Sequence, residues 1–346
     1  MSNLQIGLAV AGGAVLVAVV AYNTWTSRKN APRQAAPDEP VEPGGLDPVE
    51  PSFADTDPQV PDMALPTPPK KPALDALIDV IAGVALDPNI PVVSGDAAIA
   101  ALPATRRAGT KAFAVEGLNI ATSQWESPFA GHRYSSFQAG VQLANRTGAL
   151  NEIEYSEFVV KTQAFADAIG ATPDFPEMRD EVARARELDQ FASAHDAQLG
   201  FTIRARNASW SPGYVHQNAA RLGFVAGTIP GRLVLPASSE GSPPVLILSF
   251  DSQAALAEDP AQSAIREVSL NLDVAQVDRN EKPFERMRDA AFGLAQAMDG
   301  VVTDDNGQPL AQETMDVIGT ELQTLYNTLE QRDLAAGSAV ARRLFS

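Results

Sequence analysis

Residues 265–298 read IREVSLNLDVAQVDRNEKPFERMRDAAFGLAQAM, and two periodicities meet in them. Val268, Leu270, Leu272 and Val274 alternate with polar residues, the period of a strand with one buried face. After a loop holding Asn280-Glu281, Phe284, Met287, Ala291, Leu294 and Met298 recur at helical spacing. The stretch therefore predicts a half-buried strand, a loop and an amphipathic helix. Gly300 follows, suited to a helix C-terminal cap.

An earlier stretch has the same form. Tyr134–Asn145, YSSFQAGVQLAN, alternates like a strand, a loop with Asn151-Glu152 follows, and Phe158, Thr162, Phe165 and Ile169 then mark one helical face before Gly170. Further matching pieces lie upstream. Ala76–Leu86 and Leu199–Arg206 each read as a first strand, and Asp96–Leu102 and Pro212–Leu222 as a first helix. Lys111–Leu118, Gly231–Leu235 and Val245–Phe250 read as additional strands. Glu177–Ala194 and Gln312–Gln331 are long helical patterns. Short connections favour antiparallel pairing with the helices on one face. The expected fold class is α+β: antiparallel sheets with helices packed on one face, in two tandem related units. They cover residues 73–197 and 198–334, with a frayed tail over 335–346.

The N-terminal region differs in kind. The first 27 residues carry no charged side chain, and Arg28, Lys29 and Arg33 follow. Residues 4–25, LQIGLAVAGGAVLVAVVAYNTW, would span about 33 Å as a helix, enough for a hydrocarbon core of roughly 30 Å. One-sided basic residues place the N-terminus outside and the remainder in the cytoplasm. The expectation is a single-pass membrane anchor with its N-terminus outside. A cleaved signal peptide is the competing reading, opposed by the uncharged n-region and the long apolar run. Residues 28–72 hold 12 of the chain's 26 prolines and eight acidic residues, a composition too poor in apolar surface to order itself. A disordered linker is expected there.

The net charge of −17 argues against nucleic-acid binding, which needs a basic surface. The absence of cysteine removes disulfides, thiolate metal sites and thiol catalysis. His132, His195 and His216 lack metal-ligand spacing. Asp304-Asp305-Asn306-Gly307 resembles a calcium loop, but position 1 of that pattern falls on Val302. No nucleotide-binding or nucleophile motif is present. The expectation is a non-enzymatic protein with no cofactor, no metal and no small-molecule substrate.

With these residues in this order, the chain resembles the bacterial cell-division ZipA family. Trp25-Thr26-Ser27-Arg28-Lys29 is similar to the inner end of the family's membrane helix. Leu222-Gly223-Phe224, the strand Val268–Val274, Phe284 opening a helix, and Gly300-Val301-Val302 before Asp304-Asp305 are similar to its C-terminal domain. The resemblance implies an antiparallel sheet whose open face binds the C-terminal peptide of FtsZ, and a scaffold that tethers FtsZ polymers to the inner membrane. Aligned on Gly223-Phe224, it implies peptide-binding positions at Ile229, Leu248, Phe250, Ser269 and Asn271, with Asn271 replacing an aromatic. Leu248 and Phe250 stand out as anchors, although a strand apolar on both faces also fits a sandwiched core. The alternative function is a membrane-anchored adaptor for another cytoplasmic protein, its FtsZ site decayed.

Overall fold

The structure is a computed structural model that describes residues 32–35, 74–239, 241–257, 263–304 and 306–346. The expected membrane span at 4–25 and most of the expected linker lie outside the described residues. Among the described residues, no helix is long and apolar enough to cross a membrane. The chain divides into two compact units, which do not follow the sequence in two simple blocks. Residues 74–197, Val274–Asn280 and Thr320–Ser346 make the first; residues 32–35, Gln198–Asp273 and Glu281–Gly319 belong to the second.

The first unit begins with β1 (Asp79–Leu86), β2 (Val93–Ser94) and α1 (Gly95–Ala101). β3 (Arg107–Ala108), β4 (Lys111–Asn119), β5 (Trp125–Glu126), β6 (Arg133–Gln142), β7 (Ala144–Asn145) and β8 (Gly148–Ala149) follow. α2 (Glu152–Ile169), β9 (Ala171–Asp174) and α3 (Met178–His195) come next. The main sheet runs β3-β4-β6-β1-β9, with antiparallel pairing. Register places Val80, Val141 and Phe113 in one row and Val84 beside Phe137 on the same face. α2 covers that face, and Phe137 meets Phe165 edge-on at 5.4 Å. Asn151 caps α2 in a reciprocal box with Glu154, and Gly170 ends it in the left-handed region at φ 68°.

The expected frayed tail is instead α8 (Ala339–Leu344), capped by Ser338. Ala341, Leu344 and Phe345 are buried. Gln276 donates to the Arg342 and Phe345 carbonyls, and Gln142 to that of Arg343. The tail is ordered because its apolar side chains and its carbonyls both find partners in the first unit.

The second unit contains β10 (Gln198–Ala205), α4 (Pro212–Ala220), β11 (Val225–Ala226), β12 (Arg232–Leu235) and β13 (Leu246–Ser249). α5 (Ser252–Leu256), β14 (Glu267–Asp273), α6 (Pro283–Met298) and β15 (Gly300–Thr303) complete its core. The strand order is β11-β12-β13-β14-β10-β15, antiparallel throughout. α7 (Gln312–Glu330) contributes residues up to Gly319 here and the rest to the first unit. Val268, Leu270 and Leu272 are buried as the alternation requires, and Phe201 on that face meets Phe284 of α6 edge-on. Val274 lies beyond the strand, on a 3₁₀ turn.

Gly300 is not the cap of α6. Asp299 takes the left-handed conformation, at φ 55°, and its N–H bonds the Ala295 carbonyl. Gly300 is required for a different reason: a Cβ there would stand 2.8 Å from Ile203 Cγ2.

Candidate peptide-binding face

Register along the second sheet sorts its side chains into two faces. Leu233, Leu248, Leu270 and Phe201 form one cross-strand row, all buried on the side of α6. The opposite side carries Val225, Val234, Ile247, Asn271 and Gly200 in one row. Beside it run Arg232, Ser249, Ser269, Thr202 and Thr303. Val225 and Asn271 are exposed, while Val234, Ile247, Ser249 and Ser269 are half-buried. At the far end, Arg204 and Glu267 pair across strands at 3.3 Å.

The predicted site residues divide accordingly. Ser269 and Asn271 lie on the open side. Leu248 does not: it is fully buried opposite Leu270, so it is a core residue. Phe250 continues the same parity, and its ring meets His216 of α4 edge-on at 5.8 Å. It therefore turns to the helix side of the sheet. Ile229 is half exposed, in the loop between β11 and β12 rather than on a strand. The error has a clear source. Val245–Phe250 is apolar on both faces, so its own pattern cannot fix which side faces in; only pairing with β14 does. Sequence reasoning missed Val225, Val234 and Ile247, although the alternation in Arg232–Leu235 carries part of the signal.

The face combines a short apolar strip with a hydroxyl-rich strip and an arginine at its edge. Such a surface can accept apolar side chains of an extended or helical peptide and offer hydrogen bonds alongside. Burial holds the His216 imidazole below its ordinary pKa, and no second titratable group is hydrogen-bonded to it among the described contacts.

Two polar clusters lie in the first unit. Lys111 is buried, and its Nζ donates to Asn145 Oδ1 at 2.9 Å, Thr110 Oγ1 at 3.0 Å and Thr147 Oγ1 at 3.3 Å. Burial lowers its pKa against the opposing pull of Glu154 and Asp189. Three acceptors satisfy the ammonium, which makes it a structural tie between β4 and the β7–β8 hairpin. In the second cluster, Glu126 Oε1 accepts from His132 at 2.6 Å, Asn119 at 2.7 Å and Tyr134 at 3.0 Å. These bonds pin the loop between β4 and β6. Among the described residues, no group of three or more His, Cys, Asp or Glu is placed to hold a metal.

Residues 250–321 match the family model described as ZipA, C-terminal FtsZ-binding domain. The matched segment runs from the end of β13 through β14, α6 and β15 into α7. It supports the resemblance read from the sequence and includes the strand that carries Ser269 and Asn271. No curated protein matches the chain.

Proposed function

We propose that this protein is a non-enzymatic scaffold of the bacterial division ring, which binds the C-terminal peptide of FtsZ on the open face of its second unit. The observation that carries the reading is the position of the family match. It falls on β14, α6 and β15, the elements that build this face and the helix behind it. In this reading the peptide lies on the side of Ile247 and Asn271, away from the buried Leu248. The first unit is the weaker candidate because its own chain occupies the equivalent face: the Leu74 side chain packs over Gly140, and its N–H donates to Glu116 Oε1 at 3.0 Å.

The same proposal includes the anchor. Residues 4–25 hold the chain in the inner membrane as a single pass, with the N-terminus in the periplasm and both units in the cytoplasm. Confinement to a surface raises effective concentration, so weak contacts to many subunits of one polymer act together. The two units are further proposed as tandem copies. The order β4-β6-β1-β9 in one and β13-β14-β10-β15 in the other supports this, as does the strand–helix–strand–helix sequence that ends each.

One observation favours a second reading, an adaptor for a different partner. The apolar strip lies on β11, β12 and β13, outside the matched segment, whereas β14 presents serine and asparagine. Titrating the full chain in lipid nanodiscs with the FtsZ C-terminal peptide separates the two. Saturable binding that is lost on Ile247→Asp supports FtsZ recognition; no binding by the folded protein leaves the adaptor.

A further inference from the structure

Four residues of the proline-rich region have a defined place. Arg33 aligns parallel to Trp210 in the second unit: its N–H donates to the Ser209 carbonyl at 2.7 Å, and the Ser211 N–H donates back to its carbonyl at 2.9 Å. Trp210 itself is bonded on its other edge, exchanging N–H and C=O with Ile265 at 2.8 Å each way. Arg33 is thus the third strand of a small ladder, added to the edge that Ser209 and Ser211 leave open. Ser209, Trp210 and Ser211 are all buried.

The side chains agree with the backbone. The Arg33 guanidinium reaches Asp299 Oδ2 at 2.8 Å, and Asn207 donates to the same oxygen at 3.2 Å. Asp299 is the left-handed cap of α6, so the helix end sets its backbone while Arg33 and Asn207 hold its carboxylate. Ala35 comes next to Gly213 in the first turn of α4, where a Cβ would stand 3.7 Å from that of Ala35. Pro32, just before the arginine, has no N–H to leave unpaired. An edge with open backbone partners, a fixed acid for the arginine and a small-residue seat for the alanine together make a built peptide notch.

We propose that this notch is a second docking site on the second unit, distinct from the open sheet face, and that its occupant is the chain's own Pro32–Ala35. The segment acts as a releasable strap. Its consequence rests on the anchor proposed above. With the strap docked, Arg33 is eight residues beyond Trp25, which limits the second unit to about 29 Å from the end of the span. Released, the second unit is held only through the first unit and the whole linker, whose 45 residues would reach roughly 40 Å as a coil and about 140 Å if extended. The ion pair is about a third exposed on both sides. Salt therefore weakens the docked state.

Because the chain has no cysteine, a disulfide can report docking directly. The Ala35→Cys/Gly213→Cys variant of the full chain brings the two Cβ positions to a separation that suits a disulfide. Under mild oxidation in nanodiscs it should close intramolecularly, much faster than Ala35→Cys/Ile229→Cys. Adding Arg33→Ala, with an unchanged urea midpoint as the check that both units stay folded, should slow closure about fivefold. Closure no faster than the control, a rate indifferent to Arg33, or an interchain dimer instead would each overturn the strap. Energy transfer from a dye on Ile229→Cys to a headgroup acceptor should fall in Arg33→Ala. Unchanged transfer would remove the distance-setting role. Neither readout uses FtsZ, so failure here is separate from failure of peptide recognition.

Discussion

Arg343 stands 264 residues from Asp79 in sequence and grips its carboxylate with both terminal guanidinium nitrogens, at 2.8 and 2.5 Å. The Asp79 side chain is fully buried, and that of Arg343 is 17% exposed. The pair joins the last helix to the first strand of the first unit. Arg343→Ala leaves a buried carboxylate without its countercharge, which should cost about 3–5 kcal/mol. Amide exchange in β1 should accelerate accordingly. The Asp79→Asn/Arg343→Met double variant should recover most of that protection, since it removes both charges together.

The elements were legible because they follow the two simplest periods. Val268, Leu270 and Leu272 announce a half-buried strand, and Phe284 to Met298 a helix, from local pattern alone. What escaped depends on partners distant in the chain. The tail over 335–346 reads as frayed until Asp79 is placed beside Arg343. Pro32–Ala35 sits in a composition that predicts disorder, yet Arg33 finds an open ladder edge and a fixed carboxylate. The expectation of disorder over residues 28–72 is corrected at those four positions. The side of the sheet on which Leu248 lies is a question of register, and a strand apolar on both faces cannot answer it.

The Glu126 cluster should appear in the acid and alkaline limbs of stability. Burial pushes the Glu126 carboxyl up, but hydrogen bonds from His132, Asn119 and Tyr134 outweigh it and leave the pKa below the usual value. Its contribution is present above about 4.3 and lost as pH falls through the lower folded value. Burial, with Glu126 adding, raises the Tyr134 hydroxyl to about 12. That contribution is whole below about 10 and lost as pH rises through 12. Urea midpoints across pH should show Glu126→Gln flattening the acid limb and Tyr134→Phe the alkaline one. A Glu126→Gln profile parallel to the parent would refute the first assignment.

His216 predicts a mild acid sensitivity in the second unit. Burial lowers its pKa from 6.5, so protonation is harder in the folded state. Its contribution is present above about 6.5 and declines as pH falls toward the folded value. Replacing it with phenylalanine, which keeps a ring against Phe250, should remove that slope. The measurement is the thermal midpoint between pH 7.5 and 5.5.

Asn151 tests the capping box that starts α2. Its side chain accepts from Ile153 and Glu154, and Glu154 bonds back to the Asn151 N–H. Asn151→Ala should cost about 1 kcal/mol. Exchange in the first turn of α2 should rise with it, while β14 in the other unit stays unchanged.

The two faces of β13 give the sharpest test of where a peptide binds. Ile247 and Leu248 are neighbours in sequence, similar in size and opposite in direction: one is half-buried beside Asn271, the other fully buried on the helix side against Leu270. If the open face is the site, Ile247→Ala removes an anchor and should weaken FtsZ-peptide binding by about 1–3 kcal/mol, with little change in stability. Leu248→Ala opens a cavity instead and should cost about 2–5 kcal/mol of stability. Its affinity should be preserved under conditions where the protein stays folded. Phe250→Ala belongs with Leu248 in direction, since its ring packs on His216 rather than facing outward. Denaturant midpoint and peptide affinity measured on all three variants would show two separable effects. Equal affinity losses at Ile247 and Leu248, with both proteins folded, would mean that the peptide does not distinguish the faces and would end the open-face assignment.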